Sequence, residues 1–261
     1  MAKPTAAPAP VDTPDLVELS RRWAKPLIDA LGGGFVSLYI YGSALDESFQ
    51  PGKSDLNLLL VTRPLSGAAL RLLNQAWPGD RAAGHRVNLV VIAEDQIPRA
   101  HDAFALELSE IRSRGRLLAG KDVLAGTETP PEALRVHIER ELRVLGVRLR
   151  RVYLGAARDP HALASTLASA SGSVLACARG IAYLTGTPPA AAEKSLTETA
   201  AWAGVEARPL LEAWRLRREH EPPDAIDPLY VDFLDACDRI LARVDALLTG
   251  GPPATRSTPH A

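Results

Sequence analysis

The spacing of hydrophobic residues changes once along this chain of 261 residues. From residue 13 to residue 125, short apolar runs typical of strands alternate with helical segments, which indicates a layer of mixed sheet and helices. From residue 129 to residue 249, apolar residues recur at intervals of three and four, which is typical of a bundle of about five helices. We therefore predict an α+β fold, with a mixed-sheet domain over 13–125 followed by an all-α domain over 129–249.

Four short apolar runs in the first domain are candidate strands, and the last of them has the weakest pattern. They are Phe35–Tyr41, Asp55–Val61, Val87–Ile92 and Ala105–Ile111. Each is a block of aliphatic, aromatic or β-branched residues of strand length. A helix is predicted between the second and third strands, over Ser66–Trp77.

Composition excludes several classes of protein. Lysine and arginine total 30 against 31 acidic residues, so the net charge is −1 and strong nucleic-acid binding is not expected. Two cysteines outside any CxxC pair predict neither a disulfide framework nor a zinc site. The sequence contains no apolar run of signal-peptide or membrane-spanning length, so we expect a cytoplasmic protein without a membrane partner. The ends, 1–12 and 250–261, are predicted to be disordered tails because they have little apolar surface to bury.

The segment with the most chemical information joins the first two predicted strands. The first strand runs into Gly42 and Ser43, and after a short spacer Asp55 and Asn57 open the second strand. Residues two apart on a strand share a face, so Asp55 and Asn57 are expected to project together. Glycine allows a tight turn and a close approach to a ligand. The backbone amides of this turn and the Ser43 hydroxyl are therefore candidates for holding a phosphate.

This arrangement resembles the nucleotidyltransferase superfamily of the DNA polymerase beta type. Its signature is an apolar strand, Gly-Ser or Gly-Gly, a spacer, and Asp-x-Asp or Asp-x-Glu on the next strand. The resemblance implies transfer of a nucleoside monophosphate from a nucleoside triphosphate such as ATP to a hydroxyl, with one or two Mg²⁺ ions as cofactors. It implies that Gly42, Ser43 and Asp55 bind the nucleotide. It also implies that Asp55, Asn57 and Glu107 occupy catalytic positions, with Asp55 and Glu107 as metal ligands.

The third carboxylate of the signature has two candidate positions. The stretch around Leu106 and Leu108 resembles the superfamily's third acidic strand, which makes Glu107 the third acid. A competing alignment, closer to the aminoglycoside nucleotidyltransferases, puts the third position at Asn88. In that alignment two of the three acids are missing.

The second carboxylate position departs from the signature, because Asn57 stands where the superfamily has Asp or Glu. An asparagine offers one neutral oxygen and lacks the negative charge that favours Mg²⁺ binding. Two functions therefore stay open. One is a nucleotidyltransferase with a weakened metal site, and the other is a catalytically inactive protein of this fold that binds a nucleotide or a protein partner.

The order of the two predicted domains resembles the aminoglycoside nucleotidyltransferases, in which a helical bundle follows the catalytic domain. By that resemblance the partners are a nucleoside triphosphate and a small-molecule or protein acceptor. Glu141 is a candidate general base, and Lys194 is a candidate phosphate contact, against the alternative that it is a solvated helix lysine. Glu139 is predicted to pair with Arg143 one helical turn away. The acceptor, the preferred nucleotide and the formation of a homodimer cannot be read from the sequence.

Overall fold

The computed structural model describes residues 13–45, 49–50, 54–100, 103–188, 190–217 and 222–248. The predicted tails lie outside the described residues. The strands are β1 Phe35–Tyr41, β2 Leu56–Thr62, β3 Arg81–Ala82, β4 His85–Ala93 and β5 Arg116–Gly120. The α-helices are α1 Thr13–Leu31, α2 Gly67–Gln75, α3 Ile97–Ala100, α4 Ala105–Arg114, α5 Pro131–Ala156, α6 Pro160–Thr185, α7 Ala192–Ala203, α8 Arg208–Arg215 and α9 Ile226–Asp245.

The five strands form one mixed sheet in the order β3-β4-β2-β1-β5. β1 pairs antiparallel with both β2 and β5, whereas β2 pairs parallel with β4. The predicted strands Phe35–Tyr41, Asp55–Val61 and Val87–Ile92 are confirmed with shifts of at most two residues at their ends. The predicted α+β fold, a mixed sheet with helices followed by a helical region, is confirmed.

Helices cover both faces of the sheet, and each face has its own apolar core. On one face Leu56, Leu58 and Leu60 pack among residues of α1 and α2. On the other face Leu59 and Val61 pack among residues of α3 and α4. The alternation along β2 follows from the two-residue period of a strand. Asn57, two residues before Leu59, therefore projects from the face that α3 and α4 cover.

The prediction of a strand over Ala105–Ile111 is wrong, because these residues belong to helix α4. The alternation of Leu106 and Leu108 resembled a strand, yet Ala105, Leu108 and Ile111 recur at helical spacing and are all buried. Gly115 ends the helix by donating its N–H to the Ile111 carbonyl oxygen at 2.8 Å. The apolar residues after Gly115 form β5, at the edge of the sheet.

Contacts divide the chain into two compact units. The first unit holds residues 1–137 and 186–192, including the whole sheet. The second unit holds residues 138–185 and 193–261 and is helical where the structure describes it. Helix α6 is long and apolar enough by length and composition to cross a membrane, but half of its most apolar window is buried inside the protein. Since α6 packs against α8 and α9, it has the character of a core helix of the second unit.

Candidate functional site

The turn after β1 brings the backbone close to the second strand. Gly42 opens a short 3₁₀ turn, Gly42–Leu45, with a φ of +78°. A Cβ atom at this position would lie 2.8 Å from Nδ2 of Asn57. The left-handed backbone favours glycine, and a Cβ here would also push the Asn57 side chain aside. The turn also carries the half-buried Ser43, which directly follows Gly42. Segments 46–48 and 51–53 of the spacer lie outside the described residues.

Three neighbouring strands align polar side chains in one row of the sheet. Tyr41 on β1 is opposite Asn57 on β2, and Asn57 is level with Asn88 on β4. Nδ2 of Asn88 donates a hydrogen bond to Oδ1 of Asn57 at 3.1 Å. The two asparagines thus bond to each other across the parallel strand pair. Asn88 is the position that the competing alignment gave to the third carboxylate.

Asp55 directly precedes β2 and is half-buried. A small turn fixes the chain just before it. The Gln50 N–H donates to the Ser54 hydroxyl at 3.0 Å, and the Ser54 N–H donates to the Gln50 carbonyl at 2.8 Å. Because Ser54 is itself buried, the entry into β2 is held in place three residues before Asn57.

Glu107 lies on α4 rather than on a strand, and it faces the same side of the sheet as the asparagines. Its Oε2 atom is buried and accepts no hydrogen bond from any described residue. Burial first, and then the negative charges of Glu107 and Glu110, together raise the pKa of the neighbouring Tyr41 phenol to about 12. Tyr41 is therefore a neutral hydrogen-bond donor at physiological pH.

A cavity of about 610 Å³ lies between this face of the sheet and helices α3 and α4. Its walls are mostly aliphatic, and its polar groups come from both the sheet and the helices. The lining residues are Tyr41, Leu59, Asn88, Val90, Val91, Ile92, Gln96, Arg99, Ala100, Phe104, Glu107, Leu108 and Ile111. Three of these lining residues were not predicted as site residues, namely Tyr41, Gln96 and Arg99. No sequence motif marks them, because single aromatic or polar residues are common in strands and short helices.

The resemblance of this chain to known proteins is seen in its structure rather than in its sequence. No protein-family profile matches the sequence, and no curated protein matches it. The crystal structure of spectinomycin adenyltransferase AAD(9) from Enterococcus faecialis, solved with ATP and spectinomycin, matches with a TM-score of 0.58 at 14% identity. The match covers 88% of this chain and 99% of that one. The chain has a nucleotidyltransferase fold. A nucleotidyltransferase-like protein from Exiguobacterium sibiricum 255-15 also matches, with a TM-score of 0.34, 14% identity, and coverage of 89% of this chain and 77% of that one.

The resemblance implied a site for one or two Mg²⁺ ions on this nucleotidyltransferase fold, and the described residues do not fit a two-ion site. They contain no group of three or more His, Cys, Asp and Glu side chains that could hold a metal ion. In the alignment that puts the third signature position at Asn88, only Asp55 of the three positions is a carboxylate, since Asn57 and Asn88 are neutral amides. The Asn57 oxygen that would bind a cation already accepts the Asn88 amide. Magnesium prefers charged oxygen ligands, so this pair is a poor substitute for two carboxylates.

The two candidates outside the first unit have contacts of their own. Lys194 on α7 pairs with Glu198 at 3.7 Å and is well exposed. Its contact with a phosphate stays a prediction, as does the role of the half-buried Glu141 as a general base. Glu139 pairs with Arg143 at 2.8 Å, as predicted.

The pKa of Tyr41 gives a direct test of the geometry around Glu107. We expect this phenol to ionise near pH 12 rather than near its ordinary value of 10.0. Because the pKa of Tyr41 is higher in the folded state than in the unfolded state, the folded state binds more protons between pH 10 and pH 12. The free energy of unfolding should therefore fall as the pH rises from 10 to 12, by about 1 kcal/mol per pH unit. Tyrosinate absorbance of the wild type minus that of Tyr41→Phe measures the transition.

A matched pair of variants separates the charge of Glu107 from burial. Glu107→Gln should lower the pKa of Tyr41, because it removes a negative charge that disfavours the phenolate. Glu128→Gln, an exposed residue elsewhere in the same unit, should leave the titration unchanged. If the two variants gave the same curve, Glu107 would not act on Tyr41.

Proposed function

We propose that this protein binds a nucleotide through the Gly42–Ser43 turn and the start of β2, and that it does so without the two-metal chemistry of nucleotidyl transfer. The observation that carries the proposal is the hydrogen bond of 3.1 Å between Asn88 Nδ2 and Asn57 Oδ1. In the alignment that puts the third carboxylate at Asn88, these two neutral amides, hydrogen-bonded to each other, stand where the resemblance implies carboxylates.

The electrostatics of such a site differ from those of a carboxylate cluster. A triphosphate carries several negative charges, so three carboxylates beside it repel it unless divalent cations intervene. If Asn88 is the third position, Asp55 is the one carboxylate among the three, and an asparagine amide can donate to a phosphate oxygen. The backbone N–H groups of the turn and the Ser43 hydroxyl supply further donors. Binding of the polyphosphate should therefore depend little on Mg²⁺.

Nucleotidyl transfer to a hydroxyl of a small-molecule or protein acceptor is the second candidate function. It is favoured by Asp55, which retains the first carboxylate of the signature, and by the unpartnered Oε2 of Glu107 in the same unit. In this alternative one Mg²⁺ ion would be held by Asp55 and Glu107. It predicts that nucleotide binding requires Mg²⁺ and fails when Asp55 is neutralised. The cytoplasmic location stays a prediction under both functions.

Calorimetric titration with ATP and GTP distinguishes the two functions. Each nucleotide is titrated into the full chain in EDTA and in Mg²⁺, beside Asp55→Asn. The proposal expects binding in EDTA, and equal or tighter binding by Asp55→Asn, because a repulsive charge is removed. Binding that needs Mg²⁺ and is lost in Asp55→Asn supports the transferase instead. Absence of binding by either nucleotide in both conditions overturns both.

Gly42→Ala is the variant that tests the turn itself. Its Cβ would press on Asn57 Nδ2 from 2.8 Å, at a backbone φ of +78°. We expect nucleotide affinity to fall about tenfold or more, since the substitution strains the left-handed turn and displaces the Asn57 side chain beside it. Gly79→Ala is the matched control, because Gly79 also has a positive φ and a Cβ there would meet nothing within 4 Å. Unchanged affinity in Gly42→Ala would remove the turn from the binding site.

A further inference from the structure

We propose that the cavity between the sheet and helices α3 and α4 binds a small organic cation, an amine attached to an apolar body, with Glu107 as the partner of its ammonium group. This inference does not rest on nucleotide binding, because it is argued from the walls of the cavity alone. A buried carboxylate oxygen normally accepts a hydrogen bond, and Oε2 of Glu107 has none from any described residue. Glu107 lines a cavity large enough for a ligand.

The size and walls of the cavity suit a small molecule. Its volume of about 610 Å³ falls within the range of about 300–1,000 Å³ that is usual for ligand pockets. Leu59, Val90 and Ile92 form the sheet side, and Leu108 and Ile111 form the helix side. An apolar body placed between these walls gains the free energy of leaving water.

The charge around the buried end of the cavity favours a cation. The charges of Glu107 and Glu110 both act on the Tyr41 phenol, so two acidic groups lie near this wall. Arg99 is the basic residue among the lining side chains, and it is exposed and forms no salt bridge with Glu107. Tyr41 stays neutral and offers its ring, and an ammonium group beside an aromatic ring gains a further attraction. A positively charged ligand group therefore finds a carboxylate that no described side chain neutralises.

A metal ion fits this cavity less well than an amine does. The described residues contain no cluster of three His, Cys, Asp and Glu side chains, whereas hard cations need several oxygen ligands. The aliphatic walls cannot replace the water that a metal ion would lose. One ammonium group needs one or two acceptors, and its apolar substituent contacts the rest of the wall.

Matched pairs of probes test the class of ligand. The full chain is titrated in the absence of nucleotide with 2-phenylethylamine and hexylamine, and separately with 2-phenylethanol and hexanol. We expect each amine to bind about tenfold or more tightly than its alcohol, because the ammonium group forms an ion pair with the Glu107 carboxylate, whereas the hydroxyl carries no charge. If neither amine binds more tightly than its alcohol, the proposal is overturned, whatever the nucleotide titration shows.

Two variants locate the binding. Glu107→Gln should remove the preference for the amine while leaving the alcohol unaffected, and Glu128→Gln should keep the preference. Val90→Phe fills the cavity from the sheet side without touching the carboxylate, so it should abolish binding of all four probes. Circular dichroism checks that each variant is folded. An amine preference that survives both Glu107→Gln and Val90→Phe would place binding elsewhere and overturn the proposal.

Discussion

Replacing both Asn57 and Asn88 with aspartate is expected to make the stability of this protein depend on Mg²⁺. In the wild type the two side chains share a hydrogen bond of 3.1 Å. Two carboxylates at this separation repel each other, which should lower the free energy of unfolding by about 2 kcal/mol in EDTA at neutral pH. With Asp55 they form a three-carboxylate site, so Mg²⁺ at a hundredfold excess over its Kd should restore about 2.7 kcal/mol. Thermal denaturation in EDTA and in Mg²⁺ measures both effects.

The single variant Asn57→Asp is the matched control for this prediction. The Asn88 amide can still donate to the new carboxylate, and a hydrogen bond to a charged acceptor is stronger than one between amides. We therefore expect little loss of stability in EDTA and a smaller response to Mg²⁺ than in the double variant. If the wild type responded to Mg²⁺ as strongly as the double variant, the amide pair would not be what weakens metal binding.

The same variants bear on the choice between the two functions. A transferase with a weakened metal site should gain activity when the carboxylate charge is restored, which the release of pyrophosphate from ATP would show. A nucleotide-binding protein without catalysis should bind Mg²⁺ more tightly and release no pyrophosphate. Metal binding and activity are measured separately in these variants. A gain of metal binding without a gain of activity would show that the three-carboxylate site has formed but does not catalyse the transfer.

The strands that build the site could be predicted from the sequence because each is a short apolar block. Phe35–Tyr41 was predicted with its observed bounds, since Gly34 precedes it and Gly42 follows it. The tight turn at Gly42 also followed from the motif, whereas its closeness to Asn57 is seen in the structure alone. Local signals of this kind depend only on neighbours in sequence, which is why they could be read directly.

The helix that carries Glu107 could not be predicted because the pattern of its residues suits both a strand and a helix. Leu106 and Leu108 alternate as in a strand, and both are buried although they lie on different sides of α4. A helix buried on more than one side loses the polar face that would mark its period. Tertiary packing decides between helix and strand here, and the pattern of a single sequence carries no information about that packing.

The contact between Asn57 and Asn88 depends on strand register, which is also a tertiary property. The two strands run parallel and are joined through α2 and β3, so their alignment is set by packing over the whole unit. A shift of one residue would turn Asn88 to the other face of the sheet. The competing alignment named Asn88, but only the register shows that its amide bonds to Asn57.

Gly120→Ala is expected to be strongly destabilising. Gly120 ends β5, where the edge strand crosses close to β1 and its φ is +84°. A Cβ there would lie 2.1 Å from the Val36 carbonyl oxygen and 2.9 Å from Cα of Ser37. Backbone atoms of a central strand cannot move aside, because β1 is bonded to β2 as well. We expect the free energy of unfolding to fall by about 3 kcal/mol or more, as measured by urea denaturation.

Gly126→Ala separates the two causes of the lost stability, which are the left-handed backbone and the close approach to Val36. Gly126 has nearly the same backbone conformation, with a φ of +77°, but a Cβ there would meet nothing within 4 Å. Its substitution should lower the free energy of unfolding by only about 1 kcal/mol, the usual cost of a left-handed alanine. The difference between the two variants therefore measures the close approach of β5 to β1. Equal losses would mean that β5 can move away from Val36. The pairing of the edge strand β5 with β1, the strand that carries Tyr41, would then be less rigid than the close approach of Gly120 to Val36 indicates.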